Sequence, residues 1–216
     1  MNKHKFSKAF LWFTKITGSP LLLYFKTKVY CQGDNKDLRR VPKPCIIMSN
    51  HTALFDFALY LALFYSRCVR FLMAEVLFDG RPVLSRFLYT IGGIKVDRNA
   101  YDFSFVGEAL DTLDSGGSVG VFPEGRLPHG EKDILPFKPG IVYIALRTDA
   151  PIVPICTDGN YGLFKRAHVI IGESIYLSDY CKTENPTPEE VEKLTELLRE
   201  RICDLKAELE RKINKE

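Results

Sequence analysis

The residues best placed to do chemistry are a histidine and an aspartate five positions apart. An apolar run at residues 46–48 predicts a strand, the polar pair Asn50-His51 follows it, and Asp56 falls where a helix would begin. The two side chains can meet only if His51 precedes that helix, because five residues along an ideal helix do not share a face. An aspartate bonded to one imidazole nitrogen fixes the tautomer and leaves the other nitrogen to take a proton. The pattern is typical of an oriented general base, although an Asn-His pair also often serves only as a helix cap.

Three further stretches place polar or conformationally special residues at the ends of apolar runs. The first ends in Arg98, the second contains Glu124-Gly125-Arg126 directly after an apolar run, and the third contains Pro154. In α/β proteins such strand ends are where ligands are contacted. Each stretch alone also fits an ordinary strand end or a salt bridge. None contains the Gly-x-x-x-x-Gly-Lys-Ser/Thr pattern, so the sequence does not predict a nucleotide phosphate loop.

Strands and helices that alternate along the chain must bring these residues together. Apolar runs predict strands at residues 45–48, 69–73, 93–96, 119–122, 152–155 and 168–171. Helical spacing of apolar residues predicts helices at 54–65, 82–90, 103–113, 139–147 and 188–212. We therefore expect a single α/β domain with a central, largely parallel or mixed sheet flanked by helices. Thr187 followed by Glu190 predicts a capping box at the start of the last, amphipathic helix.

Four blocks, in this order and spacing, resemble the glycerolipid acyltransferase family, which includes bacterial 1-acyl-glycerol-3-phosphate acyltransferase. The blocks are residues 50–56, which carry the family's His-x4-Asp spacing, and residues 93–98, 122–125 and 153–155. Together they extend over residues 46–155, roughly half of the chain. A His-x4-Asp pair alone is a weak signal, whereas four blocks in order are specific.

The resemblance implies an acyl transfer in which His51, oriented by Asp56, takes the proton from an acceptor hydroxyl. The hydroxyl attacks the thioester carbonyl of acyl-CoA or of acyl carrier protein, without a covalent acyl-enzyme. The expected acceptor is 1-acyl-sn-glycerol-3-phosphate or a similar lysophosphatidate, and the expected product is phosphatidate, as in phospholipid biosynthesis. No cofactor and no metal are expected besides the acyl donor, and nucleic acid is not an expected partner.

The same resemblance implies which residues bind the substrates. Arg98 and the turn Glu124-Gly125-Arg126 would hold the glycerol phosphate, because arginine offers a planar fork of donors and glycine lets the backbone approach closely. The remaining expected binding residues are Asn50 and, on the acyl side of the site, Pro154.

The chain departs from the family pattern at two places. Many relatives have Glu-Gly-Thr-Arg in the third block, whereas here Arg126 follows the glycine directly, so its phosphate contact is open. Relatives often carry a lysine just before Glu75 that could donate to the oxyanion, but this chain has Met73 and Ala74 there. A backbone N–H or Lys138 is an alternative donor.

The numbers and positions of cysteines and histidines argue against several other functions. The six cysteines are far apart and form no Cys-x-x-Cys pair, which is typical of a reduced, cytosolic protein and not of a disulfide framework or a zinc site. The 216 residues include four histidines, which disfavours a multi-histidine metal centre and a metal phosphoesterase. Transfer to another lysophospholipid or to an amino-lipid, and a catalytically silent lipid-binding role, remain open.

Basic charge is concentrated at the N-terminus. Residues 1–33 hold six lysines and no acidic residue, whereas the rest of the chain is net acidic. Lysine is interleaved with apolar residues there, and Lys15 and the Gly18-Ser19-Pro20 breaker cut the apolar segment into two pieces, each shorter than the roughly 20 apolar residues that a membrane-spanning helix needs. We expect residues 1–32 to form a membrane-interfacial helical segment and residues 33–216 to form the acyltransferase domain, at the cytoplasmic face of a membrane as a peripheral or monotopic protein. A secretory signal and a helical hairpin packed on the domain are the alternatives.

Overall fold

A central β-sheet organises the chain. The computed structural model describes residues 7–18, 26–54, 56–97, 104–131, 134–161, 165–183 and 185–215. The strands of the sheet are β1 (Lys28–Cys31), β2 (Cys45–Ser49), β3 (Val69–Ala74), β4 (Ile94–Val96), β5 (Ser118–Val121), β6 (Ile152–Thr157) and β7 (His168–Ile171). The α-helices of the described residues are α1 (Lys8–Gly18), α2 (Asp56–Leu63), α3 (Pro82–Thr90), α4 (Ser104–Asp114), α5 (Gly140–Thr148) and α6 (Pro188–Ile213).

The sheet is mixed, with a parallel centre. Its strand order is β1-β7-β6-β2-β5-β3-β4. From β6 to β4 every neighbouring pair is parallel, β1 is parallel to β7, and β7 is antiparallel to β6. The expected α/β domain with a largely parallel or mixed sheet is therefore confirmed.

The direction of the strands decides which loops meet. The strands β6, β2 and β5 are adjacent and parallel, so the loops after Thr157, Ser49 and Val121 leave the sheet at the same edge, the one formed by the carboxyl ends of these strands. Because β7 runs the other way, its first residue, His168, lies at that edge as well. Residues more than 100 positions apart in the sequence are thereby brought together.

Helices cover both faces of the sheet and bury its central strands. All five residues of β2 are buried, which explains why this strand reads as a continuous apolar run. Ile46 and Met48 belong to one hydrophobic cluster, with α4, α5 and α6, whereas Cys45 and Ile47 belong to the other, with α1, α2 and α3. Alternate side chains of β2 therefore pack against helices on opposite faces of the sheet, in a helix–sheet–helix arrangement of three layers.

The first strand of the sheet lies on the N-terminal side of the domain boundary expected at residue 32. Lys28–Cys31 forms the edge strand β1, which pairs in parallel with β7, so the sheet begins before that boundary. A four-residue edge strand that starts with lysine gives little periodic signal and depends on its neighbour for its conformation. Of the expected breaker Gly18-Ser19-Pro20, Gly18 is the last residue of α1, whereas residues 19–20 and the apolar run at 21–25 lie outside the described residues.

The N-terminal helix α1 is amphipathic on the domain surface. Leu11 is buried in the core, whereas Phe13 and Ile16 are each more than half exposed. Among the described residues, none of the helices combines the length and the apolar character that crossing a membrane requires.

Two predicted helix starts have different outcomes. The capping box of α6 is confirmed, because Thr187 Oγ1 accepts from Glu190 N and Glu190 Oε2 accepts from Thr187 N. The helix predicted from residue 54 begins instead at Asp56, and Leu54 is about half exposed. The carboxylate of Asp56 binds the preceding backbone N–H groups, which holds residues 52–53 in a turn outside the helix.

Candidate active site

The loop between β2 and α2 wraps around the carboxylate of Asp56, which is fully buried. Asp56 Oδ2 accepts from Thr52 N at 2.6 Å and from Ala53 N at 2.9 Å. The same oxygen lies 2.8 Å from Nδ1 of His51, whose side chain is 18% exposed. The pair is present because the turn keeps His51 ahead of the helix while Asp56 occupies its first position, where a negative charge is favoured.

The protonation state of Asp56 determines the tautomer of His51. Burial alone would raise the pKa of Asp56, but hydrogen bonds from His51, Ala53, Tyr161 and Thr52 together hold that pKa below its usual range. A carboxylate can only accept hydrogen bonds, so Nδ1 of His51 must donate. The other ring nitrogen, Nε2, is left to accept a proton.

Two residues from the loop after β5 hold the backbone and the ring of His51. Glu124 Oε1 accepts from His51 N at 2.8 Å, and Glu124 Oε2 accepts from Leu135 N at 2.9 Å. The ring of Phe122 stacks on the imidazole, with centroids 4.4 Å apart and planes inclined by 16°. Burial raises the pKa of Glu124. Both carboxylate oxygens of Glu124 thus bind backbone N–H groups, a contact that the phosphate-binding expectation did not include.

Asn50 joins the ends of two strands. Its Nδ2 donates to Thr157 O at 2.9 Å, and its Oδ1 accepts from Thr157 N at 2.9 Å. Asn50 is buried, and this pair of bonds replaces backbone pairing where β2 and β6 end. The residue before His51 is therefore held to the neighbouring strand.

The turn that follows Glu124 presents an arginine. Gly125 has φ +67°, a left-handed conformation that favours glycine. Arg126 is about half exposed, and its Nη2 lies 2.7 Å from Glu131 Oε1. The hydrogen bond from Arg126 lowers the pKa of Glu131 to about 2. Arg126 is thus accessible but already paired with a carboxylate.

Two cavities of different character meet at Glu124. The first, the polar cavity, has a volume of about 430 Å³, and most of the residues that line it are polar or charged, among them His51, Thr52 and Lys206. The second has a volume of about 810 Å³ and a mainly apolar lining. Apolar residues of its wall are Leu72, Met73, Phe105, Val121, Phe122 and Ile141. Glu124 lines both cavities, and Gly125 and Arg126 line the second.

The other expected residues have different positions. Pro154 is buried in the middle of β6 and lines neither of the two cavities; it borders a third pocket with Gln32. Arg98 lies outside the described residues. Lys138, the alternative oxyanion donor, borders the apolar cavity, and its backbone N donates to Pro123 O at 2.7 Å.

Sequence reasoning missed several residues that contact the His51–Asp56 pair. Thr52 Oγ1 donates to Asp56 Oδ1 at 3.0 Å, and Tyr161 Oη donates to the same oxygen at 2.5 Å. Tyr161 follows the apolar strand β6, so the rule that strand ends carry ligand contacts could have drawn attention to it. In the part of the chain that the structure describes, no cluster of three or more His, Cys, Asp or Glu side chains is arranged to hold a metal ion.

Comparison with known proteins gives consistent matches. The model of the Acyltransferase family matches residues 31–158. Human 1-acyl-sn-glycerol-3-phosphate acyltransferase beta is 32% identical over 124 residues, which is 56% of this chain and 44% of that protein. The 1-acyl-sn-glycerol-3-phosphate acyltransferase of Borreliella burgdorferi is 28% identical over 162 residues, which is 73% of this chain and 64% of that protein.

A solved structure has a similar fold. The crystal structure of the 1-acyl-sn-glycerophosphate acyltransferase PlsC from Thermotoga maritima superposes with a TM-score of 0.63 at 22% identity, covering 91% of this chain and 80% of that one. The chain spans about half the length of the human curated relatives that it matches, 44% of the beta and 56% of the alpha protein.

Proposed function

The chain belongs to the Acyltransferase family, and from this premise we propose that it transfers a fatty acyl group from a thioester donor to the free hydroxyl of 1-acyl-sn-glycerol-3-phosphate. The product is phosphatidate, an intermediate of phospholipid biosynthesis. The acyl donor is acyl-CoA or acyl carrier protein, which acts as a co-substrate, and no further cofactor is required. The relatives named above are 1-acyl-sn-glycerol-3-phosphate acyltransferases, which supports this choice of acceptor.

The observation that carries the proposal is the His51–Asp56 pair at the wall of a polar cavity. With Nδ1 bonded to Asp56, Nε2 of His51 takes the proton from the acceptor hydroxyl as its oxygen attacks the thioester carbonyl. The C–O bond forms and the C–S bond breaks, and the proton passes to the departing thiolate. Asp56 stabilises the imidazolium that exists between the two proton transfers.

The apolar cavity supports the acyl part of the reaction. Its volume of about 810 Å³ and its wall of buried aliphatic and aromatic side chains suit a fatty acyl chain. The thioester carbonyl would then lie near Glu124, where the apolar and polar cavities meet. Holding the carbonyl and the hydroxyl next to each other would itself lower the barrier of the reaction.

Arg126 is the proposed contact for the phosphate of the acceptor, together with Arg98. A phosphate dianion would exchange with Glu131 for the guanidinium of Arg126, which is about half exposed. Gly125 has no side chain of its own, which allows the phosphate to approach its backbone closely. Because Arg126 is paired with Glu131, acceptors with other headgroups are also compatible with the site, so the choice of acceptor needs its own test.

An exposed apolar face supports a peripheral position at a membrane surface, which we propose to be the cytoplasmic one. On α1, Phe13 and Ile16 are 59% and 58% exposed, and on α3 Val83 is 83% exposed. The rings of Phe10 and Phe87, with centroids 6.2 Å apart, join the two helices into one surface. Apolar side chains of this kind enter the headgroup layer of a bilayer.

The central experiment is an acyl transfer assay with purified protein. Labelled acyl-CoA or acyl carrier protein is supplied with lysophosphatidate, and wild type is compared with His51→Ala. We expect phosphatidate from the wild type and a loss of roughly 10²- to 10⁴-fold in the variant. Thioester-dependent product formed equally by both proteins would refute the mechanism, and absence of product from the wild type would refute the function.

A second assay tests the acceptor. Lysophosphatidate is compared with lysophospholipids whose phosphate is esterified and with an amino-lipid, for wild type and Arg126→Ala. We expect a KM for lysophosphatidate roughly 10-fold higher in the variant, since a charged hydrogen bond is lost. If Arg126→Ala raises every KM equally, or none, the phosphate-binding role is wrong.

Membrane association is tested by vesicle flotation. The double variant Phe13→Glu/Ile16→Glu is compared with Tyr176→Glu/Tyr180→Glu, a matched pair of exposed aromatic residues elsewhere on the surface. We expect only the first double variant to lose binding to anionic vesicles. Equal binding of both double variants would contradict the proposed membrane surface.

A further inference from the structure

The loop that follows β6 fits closely against the loop that carries His51. Gly159 has φ +69°, and a Cβ atom at that position would lie 2.7 Å from Oγ1 of Thr52. Two residues later, Oη of Tyr161 donates to Asp56 Oδ1 at 2.5 Å. Any side chain at position 159 would push the two loops apart, so glycine is what allows Tyr161 to reach Asp56.

The base of this loop is held by Asp158 and His168. Asp158 Oδ1 accepts from His168 N at 3.0 Å, and Asp158 Oδ2 lies 2.6 Å from His168 Nδ1. Asp158 also accepts from Asn160 N at 3.1 Å. These contacts join the end of β6 to the start of β7 and fix the position from which the loop approaches Asp56.

Hydrogen bonds divide between the two oxygens of Asp56. Oδ2 accepts from His51 Nδ1 and from the backbone, whereas Oδ1 accepts from the hydroxyls of Thr52 and Tyr161. Burial and the charge of Asp56 raise the pKa of Tyr161, so the phenol stays protonated and donates a hydrogen bond. The two hydroxyls on Oδ1 oppose rotation of the carboxylate about its Cβ–Cγ bond.

We propose that Tyr161 is a positioning residue for the acyl transfer: with Thr52 it holds Oδ1 of Asp56 so that Oδ2 stays directed at Nδ1 of His51. The inference rests on the proposed function and adds to it a residue outside the four blocks. Tyr161 acts through Asp56 and is not required to touch either substrate.

A hydrogen bond from Tyr161 also disperses the charge of Asp56. Without it, more negative charge faces His51, which favours the imidazolium form and removes the free base at a given pH. A residue that only stabilised the fold would not have this effect. Besides Asp56, the titratable or charged groups of the described residues that line the polar cavity with His51 are Glu124, Glu131, Asp158, Lys206 and Glu210, and Tyr60 interacts electrostatically with Asp56 and Tyr161. Removal of the Tyr161 hydroxyl changes none of these side chains.

The test is Tyr161→Phe, which removes one oxygen atom and keeps the ring. We expect kcat to fall roughly 10-fold, about the value of one hydrogen bond to a charged group, with both KM values within about 2-fold of wild type. The acidic limb of the pH profile of kcat/KM should move to higher pH. Tyr180→Phe, a matched change at a tyrosine that is half exposed, should leave all three quantities unchanged.

The partner hydroxyl provides a second variant. Thr52→Val removes the other donor on Oδ1 while retaining the branched side chain. Because both donors bind the same oxygen, the loss in the double variant Thr52→Val/Tyr161→Phe should differ from the product of the two single losses. Strictly multiplicative losses would count against a shared positioning role.

A readout that does not depend on activity separates this inference from the proposed function. The ¹⁵N resonances of the His51 ring, assigned by comparison with His51→Gln, report the tautomer directly. We expect the Nδ1-protonated tautomer to dominate in wild type and to lose population in Tyr161→Phe. Unchanged resonances together with an unchanged pH profile would overturn the inference. A wild type without transferase activity would instead refute the proposed function, and the resonances would still decide the role of Tyr161.

Discussion

Two histidine–aspartate pairs lie at the same edge of the sheet, and among the cavities described the polar one is lined by the histidine of the first pair but not by the histidine of the second. In the first, His51 Nδ1 is 2.8 Å from Asp56, and in the second, His168 Nδ1 is 2.6 Å from Asp158. Their side chains are similarly buried, 18% and 0% exposed in the first pair and 13% and 11% in the second. Distance and burial therefore do not tell them apart.

The surroundings of the two pairs differ. His51 lines the polar cavity, and a third residue, Glu124, holds its backbone N–H. The backbone N–H of His168 donates to its own partner, Asp158. The ring of His168 lies beside that of Tyr30, with centroids 6.2 Å apart. Access of the imidazole to an open cavity, more than the pairing itself, therefore makes a histidine a candidate base.

The largest effect is expected from replacing the two histidines. His51→Gln should reduce turnover by roughly 10²- to 10⁴-fold, because a general base is lost, while the midpoint of thermal unfolding changes little. His168→Gln should do the reverse, with turnover within about 3-fold of wild type and a lower unfolding midpoint, because the side-chain contact with Asp158 that holds the loop after β6 is lost. Transfer kinetics and thermal unfolding measured on both variants decide this. Similar losses of turnover in both would break the distinction between the pairs.

Replacement of Asp56 should reduce turnover more than replacement of Asp158 does, as expected for the two histidines. In Asp56→Asn the amide oxygen can keep the bonds from Thr52 N and Ala53 N, and the amide NH₂ can donate to the hydroxyl of Tyr161, so we expect a folded protein. Turnover should nevertheless fall on the order of 10²-fold, because the imidazolium of His51 loses its counter-charge.

The matched variant of the second pair is Asp158→Asn. It should lower turnover less than 10-fold, and it should be destabilised because a partly buried histidine loses its charged partner. Circular dichroism establishes the fold and single-turnover kinetics measure the chemical step. An Asp56→Asn enzyme as active as Asp158→Asn would show that the charge of Asp56 is not used.

Glu124→Gln sharpens the comparison, because the backbone N–H of His51 is bound by a third residue, whereas that of His168 is bound by its own paired aspartate. The glutamine side chain has one acceptor oxygen, so either His51 N or Leu135 N must lose its partner. We expect unfolding free energy to fall by about 1–3 kcal/mol and turnover to fall roughly 10-fold. Denaturant unfolding and the transfer assay provide the two values. A stable variant with wild-type turnover would mean that this anchor does not matter.

The smallest effect expected is a pH dependence of stability that arises from Glu124. Burial raises the pKa of this residue above the ordinary value of 4.5, so the folded state holds its proton to higher pH than the unfolded chain does. Stability should therefore fall as pH rises from 4.5 through the raised pKa, and Glu124→Gln should lack this fall. Unfolding free energies of both proteins, measured across that window, test the sign. Parallel pH profiles would exclude Glu124 as the cause.

The sequence by itself determined the local structure around the site. Periodicity placed six of the strands within about two residues, and the capping pair Thr187 and Glu190 located the start of α6. These features could be read because strand and helix periods, and caps, depend on neighbours a few residues away. For the same reason the sequence predicted that a strand-to-helix loop carries His51 and is followed by Asp56 at the start of the helix.

Only the tertiary structure decided which distant residues act on that loop. Glu124 binds the backbone of His51 from 73 positions away, and Tyr161 reaches Asp56 from 105 positions away. Both contacts follow from the placement of β2 between β5 and β6. This strand order depends on how helices pack on the two faces of the sheet, and it cannot be inferred from the spacing of apolar residues within one element. The same order brought a second histidine–aspartate pair to this edge and left Pro154 away from it. The sequence thus determined the chemical groups, and the strand order determined which of them work together.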